Sequence, residues 1–273
     1  MSLKSILCAY SGDPEKGGGL RYAINLAKHH DAHLTGVAKT GGLGFLHRQL
    51  PAQLPESIRA QLDANGREVM ANTAKRFRDM VAEAGLSDRS EFVELDPKTD
   101  GPIASFARAF DLSVIGHYPG APYEDDYAAH PDLIALRSGR PVLIVPQDAV
   151  EPDHSTRNIT IAWDGKRAAT RALVAALPLF DPEAQVTLLS IGKTPRNTER
   201  FLETLARHNV QSNAETVWQD GTIADTLLTK ARSSGADLLV MGAFEHSKFS
   251  HDIIGGATTD VLAIADVPVL MAH

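Results

Sequence analysis

Two short segments in the C-terminal half of the chain have residue types suited to holding an anionic ligand. The first is Ala162-Trp163-Asp164-Gly165, where an apolar run stops at an aromatic, a carboxylate and a glycine. The second begins at Met241-Gly242 and ends at Gly255-Gly256-Ala257-Thr258. Gly255 and Gly256 open a predicted helix that contains Val261, Leu262 and Ile264. Glycine lets backbone approach a ligand closely, and the first N–H groups of a helix, at the positive end of its dipole, favour phosphate. Thr258 adds a hydroxyl. Asp164 keeps two readings open: a carboxylate that accepts hydrogen bonds from a ligand, or a turn or N-cap residue that satisfies free amides. A tight turn is the plain alternative for the glycine pair. No Lys-Ser/Thr follows that pair, and no Gly-x-Gly-x-x-Gly follows the first strand, so neither familiar phosphate fingerprint is present.

Other chemistry is sparse. The 11 histidines include His29 and His33 at metal-ligand spacing, but a predicted helix end falls between them. A solvated helix C-terminus, favourable for imidazolium, is the better reading. His246 lies in the second segment and is a contact for an anion, or the acid or base of a rival reading as an enzyme on a small metabolite. Among the motifs of nucleophilic catalysis, none is present. The single cysteine, Cys8, falls within a predicted strand, which excludes a disulfide framework and makes it a buried small hydrophobe. Trp163 and Trp218 read as packing residues or pocket walls.

The elements that must position these residues occur twice. Lys4-Ser5-Ile6-Leu7-Cys8-Ala9-Tyr10-Ser11-Gly12 has the pattern of Arg157-Asn158-Ile159-Thr160-Ile161-Ala162-Trp163-Asp164-Gly165. Asp111-Leu112-Ser113-Val114-Ile115-Gly116 matches Asp237-Leu238-Leu239-Val240-Met241-Gly242, and each half closes on a Pro-Val-Leu strand at Pro141 and at Pro268. Strands are expected over 6–10, 33–37, 91–95, 112–116 and 141–146, then over 159–163, 186–191, 214–218, 238–242 and 268–272. Helical spacing at Leu20, Ala23, Ile24 and Ala27, and at Ala169, Leu173, Ala176, Leu177 and Phe180, covers the sheet. Shorter helices are expected near 103–110 and over 223–233. The fold class is therefore α/β: two tandem doubly wound domains, residues 1–146 and 157–273, joined by a linker over 147–156. Right-handed crossovers put strand C-termini, and any ligand, along one edge of each sheet. The first half also has a long helical stripe from Ile58 to Ala84, preceded by a Gly- and Pro-rich loop at 41–55 that reads as a connection or a lid.

Bulk properties narrow the classes. The 273 residues are 43% hydrophobic and 22% charged, with a formal net charge of −7. A nucleic-acid binder needs a cationic surplus, so that class is excluded. No apolar run approaches the roughly 20 residues of a membrane span, and no signal-peptide pattern opens the chain, so a soluble cytoplasmic protein is expected.

The repeat, strand order and glycine spacing together resemble the universal stress protein family. Its nucleotide-binding members have an Asp after strand one, and Gly-x-x-Gly, nine residues and Gly-Ser/Thr after strand four. Here Asp164 and Gly242 take their places, and nine residues separate Glu245 from Gly255. Two positions depart: Glu245 replaces the second glycine, and Gly256 replaces the Ser/Thr. A carboxylate beside a triphosphate repels it unless Mg²⁺ or Lys248 compensates. The resemblance implies five parallel strands per domain in the order 3-2-1-4-5 and a pseudo-dimer joined through the last strands. It also allows a homodimer of chains. It implies ATP or another adenine nucleotide in the C-terminal domain. Ala162, Trp163 and Asp164 would border adenine with Ile191, Met241 and Gly242 would lie near ribose, and Gly255, Gly256, Ala257 and Thr258 would hold phosphates. The first half departs further, with Ser11 at the acidic position and a Pro-rich acidic stretch after Gly116, and reads as a partner domain with a degenerate site. A regulatory stress-response role follows by resemblance, with slow ATP hydrolysis at most. The rival is an interaction scaffold that has lost its ligand.

Overall fold

The computed structural model describes residues 2–10, 18–39, 55–96, 99–117, 131–149, 156–243 and 256–273. The N-terminal half runs β1 (Ser5–Ala9), α1 (Gly18–His30), β2 (His33–Lys39), α2 (Glu56–Glu83), β3 (Ser90–Leu95), α3 (Ile103–Phe106), β4 (Leu112–His117), α4 (Pro131–Ser138) and β5 (Val142–Pro146). The C-terminal half runs β6 (Thr156–Ala162), α5 (Arg167–Ala176), β7 (Phe180–Ile191), α6 (Thr198–Arg207), β8 (Gln211–Val217), α7 (Ile223–Ser233), β9 (Leu238–Gly242), α8 (Ala257–Ile264) and β10 (Val269–Ala272).

All ten strands form one sheet, in the order β3-β2-β1-β4-β5-β10-β9-β6-β7-β8. Each half thus has the order 3-2-1-4-5, parallel within itself. The halves join by antiparallel pairing of β5 and β10, with Val269 opposite Ile144 and Met271 opposite Val142. This is the expected pseudo-dimer, and it has a geometric consequence. Strand C-termini of the two halves face opposite edges of the sheet.

Central strands are apolar on both faces because helices cover both. Leu143, Val145 and Leu270 belong to one core with residues of α1, α2, α5 and α6. Ile144, Val269 and Met271 belong to the other, with α3, α4, α7 and α8. Both cores cross the seam, so the halves share their interiors. Cys8 is buried in the first core, and burial pushes its thiol up to about 12, as expected of an inert hydrophobe. Among the described residues no helix is long and apolar enough to cross a membrane.

The repeated aspartates turn out to be clamps. Asp111 Oδ2 accepts hydrogen bonds from the backbone N–H groups of Lys4 (2.8 Å) and Ser5 (3.0 Å). Asp237 Oδ2 does the same for Arg157 (3.0 Å) and Asn158 (2.8 Å). Each tethers the start of the half's first strand to the start of its fourth, at the edge away from the strand C-termini. A carboxylate accepting two amide protons is a strong, charge-assisted arrangement.

Element types match the sequence reading closely, with boundaries displaced by a few residues. The long stripe is α2. The expected helix over 103–110 divides into α3 and a 3₁₀ turn at Ala107–Ala109. Helix α6 had been expected only as an unspecified crossover; Leu205 on it is buried, and Phe201 and Leu202 pack against the core. The loop over 40–54 and positions 150–155 of the linker lie outside the described residues.

Candidate functional site

Parallel pairing in the C-terminal half brings three strand ends together. Ile161 of β6 pairs with Val240 of β9, and Ala162 pairs with Leu189 of β7, so Ala162, Ile191 and Gly242 end at one edge. Helix α8 begins at the same edge after β9. The structure therefore gathers Ala162, Trp163, Asp164, Ile191, Met241, Gly242, Gly256, Ala257 and Thr258 along one rim. Gly255, Glu245, His246 and Lys248 lie outside the described residues.

Asp164 forms a local turn. Its Oδ1 accepts from the backbone N–H of Lys166 at 2.9 Å, and its Oδ2 lies 3.6 Å from Lys166 Nζ. The carboxylate is half-exposed and shares its charge with that lysine. The N-cap of α5 is Lys166, so Asp164 orders the turn ahead of the helix without capping it. Gly165 sits at φ 72°, and a β-carbon there would lie 2.6 Å from Pro195 Cβ. Asn197 Nδ2 donates to Gly165 O at 3.1 Å, so the loops after β6 and β7 are stitched together. Pro195 and Asn197 are turn-type residues that the sequence reading passed over.

Trp163 is 2% exposed and faces inward. Its Nε1 donates to Thr198 Oγ1 at 2.9 Å, and its ring meets Phe201 edge-on at 4.5 Å. Its carbonyl accepts from Ser190 Oγ at 2.9 Å. The indole thus anchors α6, and the expected packing role holds. Trp218 does the opposite: it is 85% exposed, which corrects the expectation of a packed residue. It follows β8, the outermost strand of the C-terminal half.

Gly242 is required by packing. A β-carbon there would lie 2.6 Å from Ala169 N and 2.7 Å from Ala168 C, so α5 rests directly on the end of β9. The N-terminal half repeats this contact: a β-carbon on Gly19 of α1 would collide with the backbone of Gly116 at the end of β4. Gly256 is different. It has φ 131°, and a β-carbon there would meet no described residue within 4 Å, so its backbone conformation calls for glycine. It is the N-cap of α8, and the first amides beyond it have no intrahelical acceptor. Met241 is buried in the second core, leaving its backbone as the group at the rim. Thr258 is buried and already has an interaction partner. Arg167, Lys193 and Arg196 are exposed around the same strand ends, beside the Asp164–Lys166 pair.

At the matching place in the N-terminal half, β4 ends on His117. The ring is 8% exposed, its Nε2 has no hydrogen-bond partner among the described residues, and it bonds the backbone of Leu262 in α8 of the other half. Burial lowers its pKa from 6.5, with the Leu262 bond opposing that shift. In the sequence, His117 stands only as the first residue of the Pro-rich acidic stretch after Gly116. Its counterpart, Ala243, is held by backbone bonds: its N–H donates to Ala272 O at 2.9 Å, and its carbonyl lies 2.7 Å from His273 Nδ1. His29 and His33 are separated by the end of α1, as expected, and among the described residues no group of three or more His, Cys, Asp or Glu is placed to hold a metal ion.

Fold and rim together define a class: two doubly wound α/β halves merged edge to edge, with glycine-bearing strand ends at each outer crevice. Residues 196–273 match the sequence model of the universal stress protein family. That similarity lies within the C-terminal half, in a chain with the fold of solved universal stress proteins. A universal stress protein of Synechocystis sp. is 24% identical over 93% of this chain and 89% of its own length. The crystal structure of a universal stress protein from Archaeoglobus fulgidus superposes with a TM-score of 0.65 at 14% identity, covering 98% of this chain and 95% of its own. A putative universal stress protein from Pseudomonas aeruginosa superposes at 0.55 and 16% identity, covering 99% and 93%.

Proposed function

We propose that the chain is a regulatory stress-response protein that binds ATP or another adenine nucleotide at the strand-end rim of the C-terminal half. Its halves act as two domains, residues 1–146 and 157–273, joined by 147–156. One observation carries the reading: Gly256 opens α8 in a glycine-favouring conformation, at the edge where β6, β7 and β9 all end. The positive end of the α8 dipole lies at the edge where Arg167, Lys193 and Arg196 are exposed, which suits a polyphosphate. Gly255, Gly256, Ala257 and Thr258 would hold the phosphates. Ala162, Trp163, Asp164 and Ile191 would border the base, and Met241 and Gly242 would approach the ribose, chiefly through backbone. Mg²⁺ accompanying the nucleotide would be held through phosphate oxygens and water, its usual mode. Nucleotide occupancy would then set the conformation or partner affinity of the protein.

A nucleotide-independent scaffold is the second reading, favoured by the engagement of Asp164 with Lys166. Isothermal titration of the full chain with ATP, with and without Mg²⁺, separates the two. Saturable binding at micromolar to millimolar nucleotide supports the first. No heat at millimolar nucleotide under either condition gives the chain to the second.

A further inference from the structure

The outer edge of the C-terminal half carries an unexplained pair of features. Edge strand β8 ends on Trp218, whose indole is 85% exposed. Beside the start of the same strand is a groove of about 590 Å³ lined by Leu202, Glu203, Ala206, Val210 and Ser212, with Asn209 and Gln211. A knob and a hollow thus stand at opposite ends of one unpaired strand.

We infer that this edge is the contact between two copies of the chain, with β8 pairing antiparallel to β8 of the second copy about a two-fold axis through Ala214. A two-fold contact is self-complementary: whatever one copy offers, the other must receive. In the register centred on Ala214, Trp218 of each copy stands opposite Val210 of the other. Val210 lines the groove.

Facing agrees as well. Side chains alternate across a strand. Glu215 of β8 forms an ion pair with Lys230 of α7, which lies on one face of the sheet. Residues 210, 212 and 218 share the other parity and belong to the α6 face, where the groove is. An axis perpendicular to the sheet keeps that face common to both copies, so each indole reaches the groove from the correct side.

Charge and size permit the contact. The strand Gln211–Val217 has one charged residue and no proline, so it lacks the usual guards against edge pairing. The same register sets Glu215 opposite Asn213 and brings no like charges together. By contrast, the other outer strand, β3, carries Glu91 and Glu94. Two indoles burying about 200 Å² each supply about a third of the roughly 1,200 Å² at which stable interfaces begin, and the groove walls and the paired seven-residue strand add to it. The seam between β5 and β10 shows the same antiparallel edge joining inside one chain.

Sedimentation and light scattering of the full chain over a concentration series test this. The expected species is a dimer at twice the 29.4 kDa of one chain. Trp218→Ala should weaken it about 30-fold or more, the loss typical of a buried aromatic anchor. Ala206→Arg fills the groove from an exposed helix position and should weaken it comparably. Neither change touches the core, so circular dichroism should be unaltered. Trp163 is buried in either state, so a blue shift of emission on association would report Trp218 alone. A chain that stays monomeric, or a dimer indifferent to Trp218→Ala, overturns the proposal. A dimer sensitive to Trp218→Ala but not to Ala206→Arg overturns the groove as the receptor.

Discussion

The ends of β4 and β9 hold the same place in the two halves, and they share one residue and differ in the next. Gly116 and Gly242 both let the half's first helix rest on the strand, through Gly19 in one case and through Ala168 and Ala169 in the other. Beyond the glycine, one half has His117, buried against α8 of its neighbour half, and the other has Ala243, held by backbone alone. The repeated residues, these glycines with Asp111 and Asp237, do architectural work. Ligand chemistry has to be sought where the copies diverge.

The largest test of that division is to put a β-carbon at both glycine contacts. Gly19→Ala and Gly242→Ala should each cost about 3 kcal/mol, since the methyl meets backbone that cannot turn away. Matched denaturant melts check this. A Gly242→Ala protein of undiminished stability that loses ATP would leave the glycine its place at the ribose and remove its packing role.

Removing the clamps comes next. Asp111→Ala and Asp237→Ala should each cost about 2 kcal/mol, from two charge-assisted bonds to backbone amides lost at partly exposed sites. Equal losses in urea titrations mark the pair as architectural, whereas an effect on ATP affinity from Asp237→Ala alone would break the symmetry. A smaller effect is expected at the divergent loop. Glu245→Gly should tighten ATP about tenfold, near 1.4 kcal/mol, by removing a carboxylate from the phosphate environment. Titration calorimetry reads it, and an unchanged affinity would clear Glu245 as an obstacle.

The smallest effect concerns His117 and acid. Burial keeps its ring neutral in the fold, so its pKa there lies below the ordinary 6.5. As pH falls through about 6.5 the unfolded chain takes up the proton first, and stability drops until the lowered folded pKa is passed. His30 is shifted in the same direction, mainly by burial. His117→Leu should therefore flatten, but not abolish, the loss of melting temperature between neutral and mildly acidic buffer. An unchanged slope would show that His117 titrates alike in folded and unfolded chain. Charged groups on the elements near the ring are Asp260 on α8, Asp132 and Arg137 on α4, and His273 beyond β10. Apart from Leu262 and burial, none of them contributes to its shift.

The sequence made the sheet legible because strand periodicity, crossover length and the internal match all pointed the same way. It also placed Asp164, Ile191, Gly242 and Gly256 at strand and helix ends that share one edge. What it could not show were contacts between residues distant in the chain. Asp111 was visible as part of a repeated string, but its role depends on backbone amides 107 and 106 positions earlier. The two tryptophans make the same point. Each stands just after a strand, yet one strand lies inside the sheet and the other at its rim, and only strand order decides which indole is covered. His117 gave no local sign either, because Leu262 comes from the other half.

The seam between β5 and β10 also bears on how the protein is made. Strand β10 is synthesised after all the others, yet its place is at the centre of the sheet. Until it leaves the ribosome, β5 presents an unpaired, wholly apolar edge, Val142–Pro146, to whatever strand is near. The first half can complete its own five strands early and then has to wait. A neighbouring nascent chain waiting at the same stage offers an identical edge, so crowding on one messenger favours swapped pairs. Slow synthesis of the stretch between β5 and β10 should lengthen that exposure.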